Sequence, residues 1–182
     1  VVVPLSTTMG QQFVLNKDLA AKLGITPDMP VVEKFKRMKG TKIGITSPGS
    51  STDSTTRYLF RKAGLNPEKG VSLVSLGSTG AILTAFTSGN IDGFVISPPT
   101  PRQASAPGKP GVIIVDFFKG EVAEFTGIIW QVQTLNRDWA AKNRAAAVSF
   151  TRAILRALVL IHDEPTKAAN LIYQPYFAAT FD

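Results

Sequence analysis

Between Lys42 and Asp116 the chain repeats one grammar: a short β-rich run, a turn dense in Gly, Ser and Thr, a helix-forming stretch, and a Gly-marked stop. Lys42-Ile43-Gly44-Ile45-Thr46 alternates and reads as a strand, and Ser47-Pro48-Gly49-Ser50-Ser51-Thr52 reads as a turn. Asp53 to Ala63 follows as a helix, with Tyr58, Leu59 and Ala63 on its buried side. Gly64 stands where a left-handed residue closes a helix, and Pro67 blocks continuation. The pattern then recurs with a strand over Val71 to Leu76, a Gly77-Ser78-Thr79-Gly80 turn and a helix over Ala81 to Ser88. Gly89-Asn90 ends that helix, Asp92 to Ile96 is a third strand, and Gly111 to Asp116 a fourth beyond the Pro98-Pro99-Thr100-Pro101 stop. A βαβαβ order of this kind places the chain in the α/β class, with a parallel sheet and crossover helices.

The flanks follow different patterns. Gln12 to Asn16 reads as a short strand, Val31 to Met38 as a basic helix, and Gly127 to Leu135 as a further strand. A long helix is expected from about Asp138 to His162, with Val148, Thr151, Leu155, Leu158 and Ile161 or His162 on one face. Asp163-Glu164-Pro165 ends it and Thr166 restarts a shorter helix. The opening VVVPLSTTMG reads like the interior of a strand and has no initiator Met, basic n-region or cleavage site, so the chain reads as a processed or truncated product.

Composition removes several chemistries. With no cysteine there are no disulfides, thiolate metal sites or cysteine nucleophiles, and one histidine, His162, cannot build a His-based triad or a multi-histidine metal site. The carboxylates form no spaced catalytic pair. Twenty Lys and Arg against thirteen Asp and Glu give +7, but the positives are scattered. The densest run, Lys34 to Lys42, has no aromatics interleaved at a base-reading spacing and reads as a solvated face rather than a nucleic-acid surface. The longest uncharged stretch, Val71 to Ile91, holds too many Ser, Thr, Asn and Gly to insert in a bilayer, so no membrane span is expected.

What remains is the pair of turns. Gly49-Ser50-Ser51-Thr52 and Gly77-Ser78-Thr79 would both fall at the carboxyl ends of parallel strands, the edge where open α/β sheets bind ligands. Each precedes a helix, whose free N–H groups and dipole attract anions. Glycine admits close approach, and Ser and Thr add donors without bulk. Ordinary helix capping asks for the same residues and stays open as the alternative. Neither turn is a Walker A loop or a G-x-G-x-x-G fingerprint, which disfavours nucleotides. Ser97 and Thr100 flank the diproline at the same edge or simply belong to a rigid loop. Arg57 could reach back toward an anion or share a solvated face with Arg61 and Lys62. Trp130 reads as core or as the wall of a cleft, and His162 as a favourable cation at a helix end.

The segment from Met38 to Pro99 resembles the periplasmic substrate-binding proteins of ABC importers of the nitrate/sulfonate/taurine type, a group that includes thiamine-precursor binders. The resemblance rests on Lys39-Gly40-Thr41-Lys42-Ile43-Gly44, Gly49-Ser50-Ser51, Lys62-Ala63-Gly64-Leu65 and Ala85 to Asp92 in this order. It implies a type II periplasmic-binding-protein fold with one complete βαβαβ lobe and parts of a second. Residues 1–30 would be a partial first lobe and crossing strand, 31–130 the second lobe, and 131–182 the return strand and helices. It also implies that Gly49, Ser50, Ser51, Thr52, Gly77, Ser78 and Thr79 line the ligand cleft, with Ser97 beside them. Thr8, with Thr7 and Gly10, would lie near the other lobe. The implied function is capture of a small polar or anionic solute and delivery to a membrane permease. The implied protein is a monomeric, periplasmic or lipid-anchored one without cofactor, metal or catalytic residues. The effector domain of a LysR-type regulator and an enzyme on the same fold, a pyrimidine synthase or a menaquinone-pathway enzyme, are the alternatives. The cysteine motif of the pyrimidine synthases is missing.

Overall fold

A computed structural model of the protein describes residues 2–176. Along them run β1 (Val2–Thr8), β2 (Gln12–Asn16), α1 (Lys17–Lys22), α2 (Val31–Arg37), β3 (Lys42–Ile45), α3 (Ser51–Lys62), β4 (Ser72–Ser75) and α4 (Thr79–Thr87). They continue with β5 (Gly93–Ile96), α5 (Thr100–Ala104), β6 (Gly111–Asp116), β7 (Thr126–Thr134), α6 (Arg137–Lys142), α7 (Arg144–Asp163) and α8 (Pro165–Tyr176). The chain divides into two units, Thr8–Ile128 and Val1–Thr7 with Ile129–Asp182.

The larger unit carries a five-stranded sheet in the order β4-β3-β5-β2-β6. β3 pairs in parallel with both β4 and β5, as the repeated grammar requires. β2 lies antiparallel between β5 and β6. The division expected near residue 30 therefore falls between Thr7 and Thr8 instead, because β2 is an interior strand of this sheet. Its pattern explains the placement: Gln12, Phe13, Val14 and Leu15 are all buried, as a strand covered on both faces must be. Phe13 enters an edge-to-face stack with Phe35 of α2, which in turn meets Phe60 of α3, at centroid separations of 5.0 and 5.1 Å. Val14 points to the opposite layer with Ile82, Ala85 and Phe86 of α4, Phe94 and Ile96 of β5, and Ala104 of α5.

Close strand approach is set by glycine. A Cβ at Gly93 would stand 2.6 Å from the Val14 carbonyl oxygen, and one at Gly111 2.5 Å from that of Ala104. Lys34, buried in α2, donates from Nζ to the carbonyls of Pro27 and Ile114, both at 2.5 Å, and so ties α2 to β6. Burial pushes its ammonium below the usual 10.5, against the opposing charges of Glu121 and Asp28.

Two local readings change. The helix expected over Asp138 to His162 breaks at Asn143 into α6 and α7, with the Asn143 side chain bonded back to the Trp139 carbonyl at 2.9 Å. The diproline leads straight into the buried short helix α5, whose second residue is Pro101, a position where proline's missing N–H does no harm. The Pro98–Pro99 peptide is cis.

In the smaller unit, β1 and β7 form a two-stranded sheet that carries the chain from one unit to the other. Val2 and Val3 of the opening run lie in β1, while Val1 and residues 177–182 lie outside the described residues. The one-faced stripe along α7 is largely exposed: Val148, Leu155 and Ile161 are each close to half exposed, as are Phe150 and Val159 of the same helix and Leu171 and Ile172 of α8. Among the described residues, α7 alone is long and apolar enough to cross a membrane, with mean hydropathy 1.5. A search limited to uncharged stretches misses it because Arg152 and Arg156 interrupt the run.

Candidate functional site

Sheet direction gathers the sequence's polar turns at one edge. The carboxyl ends of β3, β4, β5 and β6 and the amino end of the antiparallel β2 all open there, since Gln12 is opposite both Ile96 and Asp116. The edge thus collects residues 46–52, 76–80, 97–100, 8–12 and 116. The turns after β3 and β4 are bonded to each other. Leu76 N–H donates to the Ile45 carbonyl at 3.0 Å, Gly77 N–H to that of Thr46 at 2.8 Å, and the Ser75 hydroxyl to the same Thr46 carbonyl at 3.2 Å.

Both helix entries are capped as the sequence suggested. Ser50 Oγ accepts from Asp53 N–H at 3.3 Å, and Ser78 Oγ from Ala81 N–H at 3.2 Å. Capping does not exhaust the donors. The backbone N–H groups of Ser51 and Thr52 at α3, and of Thr79 and Gly80 at α4, have no hydrogen-bond partner among the described residues. Four unpaired N–H groups at two positive helix ends make this edge electron-poor.

The remaining turn residues divide by role. Gly49 takes φ 78 and Gly77 φ 77, the left-handed region that glycine enters freely. Neither of their N–H groups is free: Gly77's goes to Thr46, and Gly49's to Asp53 Oδ2 at 2.8 Å. Their contribution is to shape the turn. Thr52 is 3% exposed, and its Oγ1 accepts from Thr46 N–H at 2.9 Å while contacting the hydroxyls of Thr46 and Ser50 at 3.0 and 2.8 Å. Three hydroxyls joined by two bonds leave one O–H over, at Thr46 or at Ser50. Ser51, Ser78 and Thr79 are exposed and Ser97 is half-buried at the end of β5, where Thr100 turns inward and is buried. Thr8 closes β1, four residues ahead of the start of β2, and is exposed.

Arg57 does not face this edge as a free cation. Its Nε donates to Asp53 Oδ1 at 2.7 Å and its Nη1 to Glu68, so it braces α3 against the loop after it. Both sequence alternatives for Arg57 give way to this pairing. Trp130 is half-buried in β7, and His162 lies in the last turn of α7.

Sequence reasoning passed over Gln11 and Gln12. Gln11, 2% exposed, donates from Nε2 to Ser51 Oγ at 3.2 Å and accepts at Oε1 from the Thr55 hydroxyl at 3.2 Å. Gln12, fully buried, donates to Asp116 Oδ2 at 2.9 Å, while its Oε1 is buried without a partner among the described residues. A paired-glutamine signal at the start of an apolar run was available, since buried amides must find partners.

A groove of about 520 Å³ in the smaller unit is lined by α6 and α7 residues, among them Ala140, Ala147, Val148 and Leu155. Its wide lining is mostly Ala, Val and Leu with Arg144, Thr151 and Arg152, whereas the sheet edge concentrates backbone and hydroxyl donors, so the donor-rich edge is the better site for a small polar solute. No cluster of His, Cys, Asp and Glu suited to a metal ion occurs among the described residues.

Residues 1–173 match the NMT1-like family, and the chain belongs to it. It is 28% identical over 124 residues to the nitrate/nitrite binding protein NrtA of Nostoc, covering 65% of this chain and 26% of that protein. It is 24% identical over 161 residues to the bicarbonate-binding protein CmpA of Synechococcus, covering 83% of this chain and 33% of that protein. The fold is that of the type II periplasmic binding proteins. The periplasmic aliphatic sulphonate binding protein SsuA of Escherichia coli superposes with a TM-score of 0.60 at 20% identity, over 96% of this chain and 49% of its own. The chain therefore spans between about a quarter and a half of these proteins. The regulatory alternative finds no support among them.

Proposed function

We propose that this chain is part of the solute-binding protein of an ABC importer. It holds a small oxyanion at the carboxyl edge of the five-stranded sheet and presents it to a membrane permease. The observation that carries this reading is the concentration of donors at that edge. Four unpaired N–H groups at two adjacent helix ends are joined by the hydroxyls of Ser50, Ser51, Ser78 and Thr79. Each hydrogen bond to a charged ligand is worth roughly 1.5–3 kcal/mol. The relatives supply the solute class, since those named bind nitrate or nitrite, bicarbonate and aliphatic sulphonates.

On this reading the larger unit carries the solute site, and the smaller unit is completed by further polypeptide of the same protein. The half-exposed apolar side chains of α7 and α8 are then core positions of that completed unit. The protein works as a monomer outside the cytoplasm, free or lipid-anchored, without cofactor or metal. The +7 charge draws anions toward it.

Thermal unfolding of the complete protein with sodium nitrate, sodium bicarbonate, sodium ethanesulfonate and taurine tests this. At one hundred times the Kd, a ligand adds about 2.7 kcal/mol of stability, which moves the melting temperature by several degrees. A rise with one of these and none with the matching chloride is expected. No rise with any of them contradicts the proposal.

A further inference from the structure

Gln11 connects the entry of β2 to the first turn of α3, and both ends of its amide are held. Thr55, 3% exposed, donates its hydroxyl to Oε1, and this fixes Nε2 toward Ser51 Oγ. The Gln11 carbonyl is held as well, accepting from Phe117 N–H at 3.3 Å. A serine hydroxyl that accepts a hydrogen bond keeps its own hydrogen to donate, and the accepted bond polarises that O–H further. Ser51 is exposed, its hydroxyl hydrogen has no acceptor among the described residues, and the unpaired N–H groups of Ser51 and Thr52 stand beside it.

We infer that Gln11 is a positioning residue for solute specificity: it fixes the Ser51 hydroxyl as an outward donor, so that the edge accepts solutes presenting a bare oxygen and rejects those presenting an N–H or ammonium group. The inference rests on the reading that this edge binds the solute. Ser51 and the neighbouring N–H groups then form an all-donor surface that nitrate, bicarbonate and sulfonate oxygens satisfy. A cationic or amide nitrogen would face donors alone and lose its hydration without compensation.

Gln11→Glu reverses the polarity. Its carboxylate accepts the Ser51 hydrogen, withdraws it from the solute and adds negative charge beside the anion. Gln11→Met removes the support without adding charge. Isothermal titration of the complete protein with nitrate, bicarbonate and ethanesulfonate, using whichever the wild type binds, reads the effect. Gln11→Glu is expected to weaken binding by at least about ten-fold, the loss of one hydrogen bond to an anion. Gln11→Met is expected to weaken it several-fold. In a Ser51→Ala background, Gln11→Met should add less than about two-fold, because the group it positions is gone.

A Gln11 that served packing alone would lower the melting temperature of the unliganded protein equally in both backgrounds and weaken binding equally in both. That result overturns the inference, as does an unchanged affinity in Gln11→Glu. If Gln11→Glu fails to fold, Thr55→Val releases the Oε1 end alone. Binding roughly two- to five-fold weaker supports the inference, and an unchanged affinity overturns it. Wild-type protein that binds none of the three anions overturns the function reading and this inference together. Binding that is indifferent to Gln11 overturns the inference alone.

Discussion

Asp53 shows how one side chain can hold a binding turn without touching its ligand. It accepts from Gly49 N–H and from Arg57 Nε, within the first turn of α3 where a carboxylate is favoured. Asp53→Ala leaves the Gly49 N–H and the Arg57 guanidinium short of a partner. It is expected to destabilise the larger unit by about 2 kcal/mol, read as the shift in a urea unfolding midpoint. Gln12 offers a contrasting test, since Gln12→Glu sets two carboxylates where a 2.9 Å amide–carboxylate bond now stands. Like charges that close cannot both ionise cheaply, so the variant should be markedly less stable at pH 7.5 and recover toward pH 5 as one carboxyl keeps its proton.

Lys34 gives a second pH signature. Well below its folded-state pKa, folded and unfolded chains are both protonated, and the folded state carries the full penalty of a buried ammonium. As pH rises toward the unfolded value of 10.5, the folded state releases its proton first and the penalty is relieved. Stability of the larger unit should therefore gain from this residue between neutral pH and 10.5. Lys34→Met should flatten that rise in urea unfolding measured at pH 7.5 and pH 10.

The serines and threonines of the turns were legible at this scale, because a helix cap and an anion donor share a local signature. Gln11 and Gln12 were not. Their partners lie 40 to 104 residues away, and nothing local distinguishes a glutamine that bridges two elements from one in solvent.

At the scale of elements, the repeat from β3 to β5 was readable because every stop was written in glycine or proline. Gly64 and Gly89 take φ 77 and 74, where the chain leaves its helices. The position of β2 was not readable. Its sequence shows an apolar strand, but a strand buried on both faces reads alike in a parallel interior and as a crossing segment. The break at Asn143 was missed for a similar reason, since an apolar periodicity continues across it. Gly93 bears on the sheet directly. Gly93→Ala would bring a methyl to 2.6 Å from the Val14 carbonyl oxygen and force β5 from β2. A loss of roughly 1–3 kcal/mol is expected, the usual cost of overpacking, measured by the same urea titration. A substitution without effect would show that the strand pair yields more easily than the register implies.

At the scale of the whole chain, composition leaves these 182 residues without a thiol or a multi-histidine cluster, which points to the hydroxyl and glycine turns. The fold class and the family were legible in the order of short motifs, whereas the exposure of α7 was not. Periodicity tells which face of a helix is apolar, but not whether the polypeptide that covers it is present. The 182-residue polypeptide alone is thus expected to bind a hydrophobic dye through α7 and α8, and to bind much less when Val159 and Leu171, each 58% exposed, are both replaced by lysine. Equal dye fluorescence would place the sticky surface elsewhere.

The central claim is that a small anion is held by the helix ends at one sheet edge. Amide hydrogen exchange of the complete protein, with and without a saturating concentration of whichever anion binds, tests it directly. Slowed exchange at Ser51, Thr52, Thr79 and Gly80, with the α6–α7 groove unchanged, is the result expected. Protection confined to that groove, or absent from both helix ends, would contradict it.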